Sequence, residues 1–200
     1  MASTTHLPLS RTRVLDSALK FADDQGLPAL SMRKLAAELG VEAMSLYNHV
    51  PSKAALLSGM LERMLEGLDI PAEPDLAWTE RLRRGATSFL AVNAAHPSFI
   101  QLLTSQHIHT GSALAPTEAV LGIFRQAGFT GPDATRAYQA LIGYVLGFIL
   151  QQDVGTIGLS CCGQGEACAH AGAAGSGDAD ADFQFGLDMV LQGLEAKLSR

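Results

Sequence analysis

The stretch Ala134 to Gln152 restricts this chain more than any other, because Leu141, Ile142, Tyr144, Val145, Leu146, Phe148, Ile149 and Leu150 leave it almost no polar face. A helix-length segment this apolar is either a membrane span or a helix covered on all sides. No run of eighteen apolar residues occurs, which argues against a span and for burial on both sides. In a chain of 200 residues the second covering layer is expected from a partner subunit.

Helical periodicity extends through the rest of the sequence. Val14, Leu15, Ala18, Leu19 and Ala22 predict a helix from Arg11 to Gln25, N-capped by Ser10 and closed by Gly26 in a left-handed cap before Pro28. Ser31 can cap a short helix, Met32 to Leu39, which Gly40 ends. Val41 and Glu42 lead to a third segment, Ala43 to His49, with Leu46 facing inward. Ser52 can cap a longer helix, Lys53 to about Leu68, with a stripe of Leu56, Leu57, Met60, Leu61, Met64 and Leu65. Pro71 and Pro74 mark a break. Trp78, Leu82, Ala86, Phe89, Leu90 and Asn93 then share one face of a helix stopped at His96-Pro97. A shorter segment, Ser98 to Gln106, precedes helices over Thr117 to Ala127 and, capped by Asp133, Ala134 to Gln152. Val154 to Ala181 is rich in Gly, Ala and Ser and reads as a flexible loop. Asp182 to Leu198 closes the chain with Phe183, Leu187, Val190, Leu191, Leu194 and Leu198 on its apolar side. Few strand-like alternations compete, so the expected fold is all-α, with domains at 1–68 and 75–200, the second carrying the loop 154–181.

The formal net charge is -6, which excludes a chain that coats nucleic acid by bulk charge. Its distribution is uneven. Up to residue 65, seven basic residues face six acidic ones; beyond it, seven face fourteen. Any polyanion-binding surface is therefore expected at the N-terminal end. Three cysteines crowded into Cys161, Cys162 and Cys168 form no disulfide framework, and no basic-then-apolar signal precedes Ser10, so the cytoplasm is the expected compartment and no membrane the expected partner.

The segment from Ser31 to Val50 carries the chemistry. Two short helices joined by a glycine turn, with Ala36 four residues before Gly40 and Leu46 six after it, have helix-turn-helix spacing: a small residue for close crossing, glycine for the turn, and an apolar anchor. Met44, Ser45, Tyr47, Asn48 and His49 are then the exposed side chains of the second helix, able to meet phosphates, base edges or thymine methyls. Arg33 and Lys53 flank them, and the helix starts at Ser31 and Ser52 suit phosphate.

The run Leu30-Ser31-Met32-Arg33-Lys34-Leu35-Ala36, with Leu39-Gly40-Val41, Ser45-Leu46-Tyr47-Asn48-His49-Val50 and Lys53-Ala54-Ala55-Leu56-Leu57, resembles the tetracycline-repressor family of bacterial regulators. Trp78, Tyr144-Val145-Leu146-Gly147, Phe185-Gly186-Leu187 and Gly193-Leu194-Glu195 resemble the regulatory domain of the tetracycline-repressor subgroup. The resemblance implies a homodimer, a recognition helix at Ala43 to His49, and a four-helix dimer interface built from Ala134 to Gln152 and Asp182 to Leu198. It places Arg33, Ser45, Tyr47, His49 and Lys53 where the family contacts operator DNA. Ala43-Met44 stands where the tetracycline repressors have Gln-Pro, and Asn48 where they have Trp, so a different operator is expected.

Those repressors hold magnesium-tetracycline through histidines and a glutamate. Aligned on Trp78, the histidine positions are Leu103 and Gly143, the glutamate position is Gln151, and an amide position is Gly85; only Phe89 is a like residue. Magnesium-tetracycline is thus not the expected effector, and no cofactor is implied. Phe89, His96, Phe99, Leu103, His107, Phe124, Tyr138 and Tyr144 are the candidates to line a mostly apolar effector cavity. Cys161, Cys162, Cys168 and His170 offer a minority alternative, a metal- or redox-responsive regulator. The remaining alternative is a helical binding module or enzyme without DNA binding. No nucleophile with an adjacent base, carboxylate pair or phosphate loop supports catalysis, so a non-enzyme is expected.

Overall fold

The computed structural model describes residues 8–105, 114–153 and 178–199, and every regular element among them is helical. The chain divides into two compact units, Met1–Leu68 with Ala91–Thr117, and Asp69–Leu90 with Glu118–Arg200.

In the first unit, α1 (Arg11–Gln25) starts where Ser10 Oγ accepts the Arg13 amide at 3.2 Å, and Val14, Leu15, Ala18, Leu19 and Ala22 are all buried. Gly26 differs from its expected left-handed cap. Its φ of 83° is paired with an extended ψ of 144°, which sends the chain into a 3-10 turn, Leu27–Ala29, begun by Pro28. α2 (Met32–Leu39), α3 (Ala43–Tyr47) and α4 (Lys53–Leu65) follow. α3 stops two residues before His49, because the His49 amide turns back to Leu46 O in an i→i−3 bond and Pro51 follows. α4 stops short of Leu68 at Glu66-Gly67, where the Gly67 and Leu68 amides tighten onto Met64 and Leu65 carbonyls. α4 lies so close to α1 that a Cβ on Gly59 would come within 2.8 Å of the Leu15 side chain.

α5 (Trp78–Ala95) begins in the second unit and ends in the first, followed there by α6 (Phe99–Ser105). His96 Nδ1 meets Asp23 Oδ2 at 2.8 Å, Ser98 Oγ donates to Ala22 O at 3.3 Å, and Phe99 and Leu102 are fully buried. These bonds to the last turns of α1 tie α6 to the first unit.

The second unit contains most of α7 (Leu114–Ala127), with α8 (Gly131–Asp153) and α9 (Ala179–Leu198). α7 starts three residues before the expected Thr117, since Pro116 fits a first helical turn. Asp133 is not the cap of α8. Thr130 O accepts the Ala134 amide at 2.7 Å, and Asp133 sits inside the first turn, accepting from Arg136 at 2.8 Å and from Thr130 Oγ1 at 3.1 Å. Those donors, Arg136 foremost, hold its carboxyl below the usual range. α9 is capped by Asp178, whose carboxylate accepts the Asp180 and Ala181 amides at 3.1 and 3.2 Å. The end of the expected loop 154–181 is therefore a helix cap and first turn; 154–177 lie outside the described residues.

α8 and α9 meet through aromatic rings. Tyr144 stacks on Phe183 at 5.6 Å, Phe148 meets Phe183 edge-on at 5.1 Å, and Tyr144 OH donates to Phe183 O at 2.7 Å. Burial pushes the Tyr144 phenol up, only partly offset by the Leu187 amide. Gly186 is what lets the ring in: a Cβ there would fall 2.6 and 2.7 Å from Tyr144 Cε2 and Cζ. Gly186→Ala should therefore destabilise the protein by roughly 1–3 kcal/mol through overpacking, despite the ~1 kcal/mol that helix propensity favours alanine. Thermal unfolding checks this, and a melting temperature at or above that of the parent chain would show that Tyr144 moves aside freely.

Candidate nucleic-acid interface

The α2–α3 pair is built by caps and one turn. Ser31 Oγ accepts the Lys34 amide at 3.2 Å, and Leu35, Ala36 and Leu39 are buried. Gly40, at φ 67° and ψ 32°, takes the left-handed conformation; its amide bonds to Ala37 O at 3.2 Å while the Val41 amide bonds to Ala36 O at 2.9 Å. Ala36 is 2% exposed, so the helices cross there without a bulky side chain between them. Ser52 repeats the cap at α4, accepting the Ala55 amide at 3.1 Å.

Within α3 only Leu46 is buried. Met44 is 73% exposed and Tyr47 42% exposed, Asn48 is exposed, and Ala43, Ser45 and His49 are half-buried, as is Ser31. Arg33 and Lys53 are exposed beside them. The candidate contact residues thus fall on two adjoining helices and the start of a third. Lys34, exposed and next to Arg33, belongs with them and was not among the candidates, although its place in the first turn of α2 could have signalled it.

Most of the other cations are engaged by groups of the protein itself. Arg11, Lys20, Arg63, Arg83, Arg84, Arg125 and Arg136 pair with carboxylates. Arg81, 5% exposed, donates to Pro71 O and Gln126 Oε1, both at 2.8 Å. The side chains of Arg33, Lys34 and Lys53 make no ion pair or hydrogen bond among the described residues. Among the described residues no carboxylate neutralises their charge.

The candidate effector residues are divided between the two units. His96, Phe99 and Leu103 belong to the first unit, and Phe89, Phe124, Tyr138 and Tyr144 to the second. His96 is bonded to Asp23, and Phe99 and Leu103 are buried. Phe124 packs against Trp78 and Phe129 at 6.2 and 5.3 Å, and Tyr144 against Phe183. Gly143 faces open space, and Gln151 is exposed. His107, Cys161, Cys162, Cys168 and His170 lie outside the described residues, among which no cluster of His, Cys, Asp or Glu is placed to hold a metal ion.

Comparison with known proteins bears on both units. Residues 14–60 match the model of bacterial regulatory proteins of the tetR family, and residues 70–158 that of the tetracyclin repressor-like C-terminal domain. The class A tetracycline repressor from transposon 1721 of Escherichia coli is 31% identical over 156 residues, 74% of this chain and 68% of the repressor. The chain belongs to the tetracycline-repressor family. The transcriptional repressor DrrR1 of Streptomyces coeruleorubidus is 40% identical over 140 residues, 70% of this chain; the chain spans 52% of DrrR1, about half its length. ActR of Streptomyces coelicolor, a TetR family protein solved in complex with actinorhodin, superposes with a TM-score of 0.77 at 25% identity, covering 97% of this chain and 100% of ActR. The tetracycline-repressor N-terminal match spans α1 to the middle of α4 and so contains the whole α2–α3 turn.

Proposed function

We propose that this chain is a ligand-responsive DNA-binding transcriptional regulator, a cytoplasmic homodimer without enzymatic activity that represses until a small, largely apolar effector releases it from its operator. The observation that carries the reading is α3: an exposed surface of Met44, Tyr47 and Asn48, adjoined by Arg33, Lys34 and Lys53, whose side chains make no ion pair among the described residues. Arg33, Tyr47, Lys53 and Ser31 anchor phosphates, while Ala43, Met44, Ser45, Asn48 and His49 face base edges. Residues 1–68 form the DNA-binding domain and 75–200 the effector and dimer domain. In the dimer the two recognition helices meet successive major grooves roughly 34–36 Å apart.

Phe185 and Met189 on α9, 71% and 59% exposed, supply the dimer face together with Leu150. The apolar periodicity of α9 points to Phe183 and Leu187 and misses this second face, although an apolar pair spaced four apart was its signal. ActR, solved in complex with actinorhodin, supports a small-molecule effector; Phe89, Tyr138 and Tyr144 are the residues nearest in kind to that role here. An effector that prefers the released state by about 1.4 kcal/mol weakens binding tenfold.

Fluorescence anisotropy on DNA upstream of the chain's own gene, against scrambled DNA at two salt concentrations, tests the reading. Binding should be sequence-dependent and fall with salt, and Arg33→Ala and Lys53→Ala should each reduce the slope of log K against log salt by about 1. Equal binding to both duplexes with no change in slope would overturn the assignment.

A further inference from the structure

The outward surface of α3 and its C-terminal turn carries no arginine, lysine, aspartate or glutamate, and no glutamine. From Ala43 to Val50 the side chains are Ala, Met, Ser, Leu, Tyr, Asn, His and Val, of which Leu46 and Val50 are buried. Guanine is read by a bidentate arginine or lysine, and cytosine by a carboxylate. Neither group is present here. What projects instead is Met44, 73% exposed, with Tyr47 one turn on, and then Asn48, whose amide makes no hydrogen bond among the described residues. A methionine this far out in water leaves its apolar surface unfavourably hydrated.

The neighbours of this apolar patch identify its occupant. Arg33, Lys34 and Lys53 have no carboxylate partner among the described residues, so the matching surface is an anion that also bears apolar groups. A duplex meets both demands at one kind of base pair. Thymine presents its 5-methyl in the major groove, and its adenine partner presents the N6 donor and N7 acceptor that an asparagine amide bonds in bidentate fashion.

Resting on the DNA-binding reading above, we infer that α3 is a reader of A·T base pairs, with Met44 packed on a thymine 5-methyl and Asn48 bonded to adenine. Ser45 and His49, half-buried, are secondary in this arrangement. Specificity in each half-site then comes from one methyl contact and one amide pair, and overall affinity from the cations around them.

The test uses the full chain and the duplex it selects from a randomised pool. The expected duplex has A·T pairs where α3 sits in each half-site. Replacing the contacted thymine by uracil removes only the methyl and should weaken binding roughly fourfold per half-site. Met44→Ala should bind the thymine and uracil duplexes equally, and Asn48→Ala should lose about tenfold and its preference for adenine. Both residues are exposed, so the variants should melt as the parent does; the uracil series on the parent chain stands regardless. Selection of G·C pairs at these positions, or equal affinity for thymine and uracil duplexes, would overturn the inference while leaving DNA binding intact. Failure to enrich any duplex would overturn the DNA-binding reading itself, and this inference with it.

Discussion

Phe185→Glu should convert the proposed dimer to monomers and abolish operator binding with it. Phe185 and Met189 stand one helical turn apart on α9, 71% and 59% exposed, while Phe183, Leu187 and Leu191 of the same helix are buried. α9 therefore has two apolar faces, one used within the chain and one left over. Gly143 and Gly147 on α8 and Gly193 on α9 have nothing within 4 Å of where a Cβ would stand, so helices of a second copy have room to approach closely. Burying a phenylalanine or methionine contributes about 1.5–3 kcal/mol, and two-fold symmetry counts each residue twice. A glutamate at 185 removes that term and brings two like charges into a desolvated interface. The inner face of α9 is untouched, so helicity should persist. Sedimentation gives the mass and anisotropy the DNA affinity; a variant that remains a dimer would sink the proposed interface, whereas a monomer that still binds the operator at parent affinity would sink the need for dimerisation.

Which parts of this architecture were legible in the sequence follows from the range of the interactions involved. Ser10, Ser31 and Ser52 were readable as caps because each accepts an amide three residues away, and Gly40 because a left-handed turn depends on one residue's φ. The starts of α8 and α9 are less legible. In Thr130-Gly131-Pro132-Asp133 and in Asp178-Ala179-Asp180-Ala181-Asp182 several residues can cap, and local sequence does not rank them. The attachment of α6 to the first unit depends on His96 meeting Asp23 across 73 positions, a pairing that no periodicity encodes. The same limit governs the candidate sites. The interface residues are neighbours in sequence and emerge together, whereas the effector candidates were collected from four segments by residue type, and Phe124 and Tyr144 turn out to pack against other rings.

α3 itself offers the sharpest test of how the first unit is held together. Leu46 is the one buried side chain of α3 and is fully excluded from solvent. A helix of five residues has no stability of its own, so its position depends on that anchor, on Val50, and on the Gly40 turn. Leu46→Ala should destabilise the protein by about 2–5 kcal/mol, a large share of the ~5–15 kcal/mol that holds a domain folded. Denaturant unfolding should show an earlier transition, and operator affinity should fall with it while the mass of the dimer stays unchanged. Tyr47→Ala, at the next position, is the control: a 42% exposed side chain whose loss should leave the unfolding curve in place and still remove operator binding. If instead Leu46→Ala unfolded with the parent and bound DNA normally, α3 would be positioned by something other than its one apolar anchor. If Tyr47→Ala bound normally while Leu46→Ala did not, the phosphate role of Tyr47 would fall and the burden would pass to Arg33 and Lys53.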